Sequence, residues 1–211
     1  MSRALPPLLR SLLSEYKRLV KVYPDTPNIA RRMFVTNAMD GLLAAIGVNV
    51  GGFSVDVDPR VLALSIMGGA LSMGLLSAVV GVYLSERAER LNEVKRLEKK
   101  VGRSLRGSLY WRAAMLVPIY IALWSGVGVL VFPALTATPY LAASAGILGM
   151  GEAFALSLAS ALALMATLGY YLGVVSGESR LLYTLRGLAL GAGGAVVVYL
   201  FKSLLQLSPI A

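Results

Sequence analysis

Long apolar runs alternate with short polar ones along the whole chain. Five of the apolar runs, at about 33–53, 60–85, 109–132, 152–175 and 182–206, are long enough to cross a bilayer as helices, which takes about 20 residues. A short acidic turn at 55–59 separates the first two. A charged segment at 86–112 follows, then a Pro- and Gly-rich stretch at 133–151 and the turn GESR at 177–180. The pattern predicts an all-α membrane protein of five transmembrane helices over residues 31–211, preceded by an amphipathic segment at 1–30.

The polar stretches carry their own periodicity. In residues 8–23, Leu9, Leu12, Leu13, Tyr16, Leu19 and Tyr23 share one helical face, with Arg10, Ser14, Lys17, Arg18 and Lys21 opposite. Such a helix lies in the membrane interface or packs against the protein's own cytoplasmic face. Beyond the second run, Ala88, Leu91, Val94, Leu97, Val101 and Leu105 recur at three- and four-residue steps. The second helix is therefore expected to continue out of the membrane, with Glu86 and Arg90 in the favourable i, i+4 order. Pro118 is expected to kink the third helix. Pro133 and Pro139 leave at most the 12 residues 140–151 free of proline, too few to span, so a short non-cytoplasmic element is expected there. Glu152, opening the fourth run, suits a helix N-terminus, and a place in a transport pathway stands open beside that. GxxxG pairs at Gly47/Gly51, Gly169/Gly173, Gly173/Gly177 and Gly187/Gly191 offer close helix packing.

Composition agrees with the pattern. Hydrophobic residues make up 57% of the chain and charged ones 15%, with a mean hydropathy of +0.72, against about 25% charged in soluble domains. No cleaved signal peptide is expected in residues 1–30, which Pro6, Pro7, Pro24 and Pro27 interrupt. The net charge of +9 falls in the gaps between apolar runs, which points to lipid headgroups and topology, with no nucleic acid as partner. Seven basic residues precede the first run, Arg60 alone follows it, nine lie in 86–112, none in 133–151, and Arg180 and Arg186 follow the fourth run. The alternation predicts an integral membrane protein with a cytoplasmic N-terminus and an outside C-terminus. In a prokaryote it would sit in the plasma membrane.

Candidate chemistry is confined by what is missing. The chain has no Cys and no His, so thiolate and imidazole ligands and nucleophiles are excluded. Asp40 lies inside the first apolar run, FVTNAMDGLLAAIGVNVGG, at a cost of roughly 2.5–3.5 kcal/mol on insertion scales. Thr36 and Asn37 precede it by four and three residues, and Ala44, Gly47 and Gly51 continue the stripe. No Lys or Arg lies in the centre of any run to pair with it, which favours an ion or a proton as its partner. The second run offers Met67, Ser72 and Met73. Thioethers fill cores more often than they bind metal, yet they do take softer transition metals. A single carboxylate without a second acid or a His does not support hydrolysis, so an enzyme is not expected.

DGL at 40–42, SMG at 72–74, YLSERAE at 83–89 and the closing LGYYLGVVSGESRLLYTLRGLALGAGGAVVVYL together resemble the vacuolar iron transporter family. The resemblance covers most of residues 31–206. It implies a homodimeric antiporter that moves ferrous or manganous ion out of the cytosol against protons, between the first and second spans of two subunits. It also implies metal ligands at Asp40 and at a second-span methionine. In the family pattern that methionine stands about five residues before the exit tyrosine, whereas Met73 stands ten before Tyr83. The family's second-span glutamate falls on Ser65 or Ala70. Its cytoplasmic metal-collecting domain is reduced here to one charged helix with Glu86, Glu89 and Glu93 as candidates. The expected function is thus divalent-metal transport, with no permanently bound cofactor. Asp40, Asn37 and Met73 would be ligands, and Thr36, Met67 and Ser72 would line the path. A carrier of another substrate on the same fold, and a membrane scaffold without transport, are the alternatives.

Overall fold

Five long helices make up most of the computed structural model, which describes residues 15, 17–53 and 57–207. They are α1 (Thr26–Phe53), α2 (Pro59–Val101), α3 (Leu109–Ser144), α4 (Met150–Ser176) and α5 (Arg180–Leu207). Each contains a stretch long and apolar enough to cross a membrane. Local chemistry sets their ends. The Asp58 carboxylate accepts the Arg60 N–H ahead of Pro59, and the Ser108 hydroxyl accepts the Trp111 N–H, both N-caps. Gly102 and Gly177 close α2 and α4 at φ 70° and 71°, the left-handed conformation glycine adopts without strain. Glu152 also caps: its carboxylate accepts the Gly149 N–H at 2.9 Å at the start of α4.

At about 1.5 Å per residue, the 43 residues of α2 reach roughly 65 Å, twice a bilayer's hydrocarbon core. The helix must therefore emerge, as the periodicity of 86–105 requires, although of those six apolar positions only Val94 is fully buried. Between Ser72 and Val82 its hydrogen bonding widens into a π-helical stretch, Met73–Gly81. That stretch fills the interval between SMG and the exit YLSERAE.

The third helix is longer than its prolines suggest. It runs unbroken to Ser144, so residues 133–144 are its last three turns and no separate short element follows, only a turn through Gly146 at φ 75°. Each proline removes one backbone donor. Pro139 leaves the Leu135 carbonyl without its usual donor, and the Thr138 hydroxyl donates to that oxygen at 2.7 Å. Pro133 likewise frees the Val129 carbonyl. Gly41 of α1 lies against this turn, where a Cβ would come within 2.9 Å of Pro133 Cγ and 3.0 Å of the Val129 oxygen.

Helix α3 is the hub, packed against α1, α2 and α4, while α4 also pairs with α5. The described part of the N-terminal segment settles on this bundle: Leu19 and Tyr23 are buried with Ala30, Val94, Ala114 and Val117. Residues 8–14 and 16 of the expected amphipathic helix lie outside the described residues. Glycines set the two closest approaches. A Cβ on Gly128 of α3 would run into the Phe34 carbonyl oxygen of α1, and Cβ atoms on Gly169 and Gly187 would strike the Tyr183 and Met165 carbonyls across α4 and α5. Gly47 and Gly51, by contrast, meet Val198 only at 3.8 and 3.9 Å, ordinary contact that does not require glycine.

Overpacking a core typically costs about 1–3 kcal/mol. Gly128→Ala is expected at the upper end of that range, because the atom it meets is backbone that cannot rotate away. Gly193→Ala, with open space at its Cβ, should be neutral or slightly stabilising. Thermal unfolding of the two variants in detergent checks the contrast, and equal melting temperatures would refute the packing account.

Candidate functional site

Asp40 stands midway along α1 on its exposed face, with Arg32 and Thr36 exposed at four-residue steps before it. Among the described residues it makes no hydrogen bond and no ion pair. Successive residues of a helix turn about 100°, and three positions separate Asn37 from Asp40. That rotation is enough to give Asn37 to a different neighbour. Its amide donates to the Met33 carbonyl at 2.9 Å and to the Ser125 hydroxyl of α3 at 2.8 Å. The expected cluster of Thr36, Asn37 and Asp40 is therefore divided: Thr36 shares the outward face with Asp40, while Asn37 is engaged with α3. The small-residue continuation is divided too, because Gly47 and Gly51 lie under Val198 of α5.

The second-helix candidates also separate. Met67 packs against the buried cluster of Ala45, Leu62, Ile66 and Tyr140, a core position. Ser72 is exposed and donates to the Gly69 carbonyl at 3.0 Å, and Met73 is half-buried where the π-helical stretch begins. Beside them the helix surface is open: Cβ atoms on Gly68 and Gly69 would meet nothing within 4 Å.

On the charged extension the three glutamates do not converge. Arg90 is only 4% exposed and lies 2.8 Å from Asp25, 3.1 Å from Glu93 and 4.0 Å from Glu86. Its guanidinium also sits 4.4 Å over the Tyr23 ring. Burial, with Glu93 adding to it, pushes the Tyr23 phenol above its ordinary range, against the opposing charge of Arg90. Glu86 and Glu93 thus serve Arg90, and Glu89 is exposed. Among the described residues no three acidic side chains gather into a group that could hold a metal ion. Arg90 is the residue the helical pattern undervalues. Its Glu86 partner is legible at i, i+4, but Asp25 reaches it from 65 positions away.

A second feature escapes the pattern altogether. Asn49, on the face of α1 opposite Asp40, is buried and donates to the Ser157 hydroxyl at 3.0 Å while its carbonyl accepts from Tyr140. Ser157 in turn donates to the Thr136 carbonyl at 2.6 Å. Every member has a partner, so the network ties α1, α3 and α4 together and offers no vacant ligand.

Finally, a cavity of about 380 Å³ opens between the first turns of α1 and the end of α4, with Asn28, Arg31, Arg32 and Thr36 on its polar side and Val35, Met39, Leu172 and Val175 on its apolar side. No family model matches the chain, and no curated protein matches it either.

Proposed function

We propose that the chain is a carrier of divalent transition-metal ions, of the ferrous or manganous kind. It would work as a homodimer that exports metal from the cytosol in exchange for protons. The observation that carries this reading is Asp40: a carboxylate midway along a helix long and apolar enough to cross a membrane, exposed and without a partner among the described residues. An ionisable group at that depth is retained when it faces a partner, a cavity or an ion. A second copy of α1 brought against the first would set two Asp40 carboxylates together, a doubly negative site for one divalent cation. The open Gly68–Gly69 surface of α2 offers room for such an approach. Mutual repulsion of the two carboxylates favours proton uptake when the cation leaves, which couples release to protons.

The pathway on this reading is Asp40 with Thr36 and Met73, without Asn37 or Met67, whose side chains are used within the bundle. The bundle end that carries the N-terminus and the charged extension of α2 faces the cytoplasm, and the resemblance to the vacuolar iron transporters supports the same arrangement. The test is Mn²⁺ flux in proteoliposomes. Transport by the wild-type chain and its loss in Asp40→Asn is the expected result, and undiminished flux in the variant sinks the proposal.

A further inference from the structure

The cavity at the start of α1 has a composition of its own. Its volume of about 380 Å³ falls in the range of small-ligand clefts, roughly 300–1,000 Å³. Two guanidinium groups, Arg31 and Arg32, stand at it beside the Asn28 amide and the Thr36 hydroxyl. Neither arginine forms an ion pair with any described residue. Glu86 lies within electrostatic reach of Arg32 but is also drawn to Arg90. Glu86, shared with Arg90, offsets only part of the charge of these two adjacent arginines, and the group that relieves the rest is an anion able to accept several donors at once. Phosphate does so, because guanidinium forks match its oxygens in pairs.

The opposite wall selects further. Met39, Leu172 and Val175 make it apolar, and it runs along α1 and α4, toward the interior of the apolar span. A free phosphate would leave that wall facing water, whereas a phosphate joined to acyl chains covers it. The position suits the same ligand: the cavity lies at the bundle end where α1 and α5 begin and α4 ends, the end richest in Lys and Arg. Basic clefts between helices at a membrane surface take anionic headgroups.

We propose that this cavity is a binding site for an anionic phospholipid, its phosphate held by Arg31 and Arg32 and its first acyl carbons against Met39, Leu172 and Val175. Arg32 and Asp40 are eight residues apart on one helix stripe, about 12 Å along the axis. A bound phosphate would therefore also offset the positive charge that a cation meets on its way to Asp40. That consequence rests on the carrier reading, whereas the lipid site does not.

Native mass spectrometry of the full chain in detergent tests the site, with dioleoyl phosphatidylglycerol and dioleoyl phosphatidylcholine as probes. The expected result is one phosphatidylglycerol retained per chain where phosphatidylcholine is lost. Arg31→Gln/Arg32→Gln should weaken that retention roughly tenfold or more, and the remote pair Lys100→Gln/Arg103→Gln should leave it within about twofold. Leu172→Trp, which fills the apolar end and spares both arginines, should weaken it as well, and it stands in if the double variant fails to fold. Equal retention by wild type and variants overturns the proposal. So does displacement of the lipid by an equal concentration of inorganic phosphate, which would assign the cleft to a free anion.

Discussion

Replacing Asp40 with Asn is expected to lower Mn²⁺ flux a hundredfold or more while the chain still folds and pairs. The side chain keeps its shape and loses its charge. In a two-copy site both carboxylates go at once, and charge-assisted contacts are worth about 1.5–3 kcal/mol each. The pair therefore accounts for roughly 3–6 kcal/mol, two to four decades in rate or affinity. Folding is spared because Asp40 is exposed and has no partner among the described residues to lose. A neutral amide is also cheaper than a carboxylate at that depth. Asp40→Glu, which restores the charge one methylene further out, should recover part of the flux. A scaffold without transport predicts instead that Asp40→Leu stabilises the protein and costs it nothing. The two readings thus differ in both flux and melting temperature.

The second large effect is structural. Arg90→Met keeps an unbranched side chain but removes the guanidinium over the Tyr23 ring and the charge that Asp25, Glu86 and Glu93 share. Removing one partner of a fully buried ion pair costs about 3–5 kcal/mol. Asp25 and Glu93 are 51% and 44% exposed, and water will solvate part of what they lose. A loss of roughly 2–3 kcal/mol is therefore expected, or about 5–10 °C in melting temperature for a chain of this size. The sign of its pH dependence follows. In the variant the Glu86 carboxylate loses the Arg90 charge that opposes the effect of its burial, so the folded state holds a proton there more firmly than the unfolded chain. That raised affinity stabilises at low pH and is lost as pH rises, so the deficit should be smaller at pH 5 than at pH 8. Adding Asp25→Asn should make the double variant less unstable than the sum of the singles. A pH-independent deficit, or strict additivity, would show that Arg90 acts through packing alone.

Much of this arrangement was legible in the residues before any coordinates. Hydropathy located the five helices long and apolar enough to cross a membrane, because a bilayer demands long apolar runs whatever their tertiary neighbours. The emergence of α2 followed from the apolar period of 86–105. What stayed hidden depends on residues far apart in the chain. Pro133 and Pro139 look like helix stops, yet α3 runs through both, with Gly41 of the distant α1 packed against Pro133 and Val129. Asn37 and Thr36 look equivalent beside Asp40. Ser125, 88 positions on, engages one and leaves the other on the surface. Glu93 looks like a free carboxylate on a solvated helix, and Glu86 like half of a simple i, i+4 pair, until Asp25 completes the set around Arg90. Helical period tells which residues share a face, but not which neighbour that face meets.

In the proposed carrier, two Asp40 carboxylates hold one divalent cation between copies of α1. Crystals of the full chain soaked in Mn²⁺ test it most directly, through anomalous scattering at the manganese edge. The predicted result is a single peak on a twofold axis within ligand distance of both Asp40 side chains, absent in Asp40→Asn. Manganese bound elsewhere, with no peak at Asp40 in the wild-type chain, would contradict it.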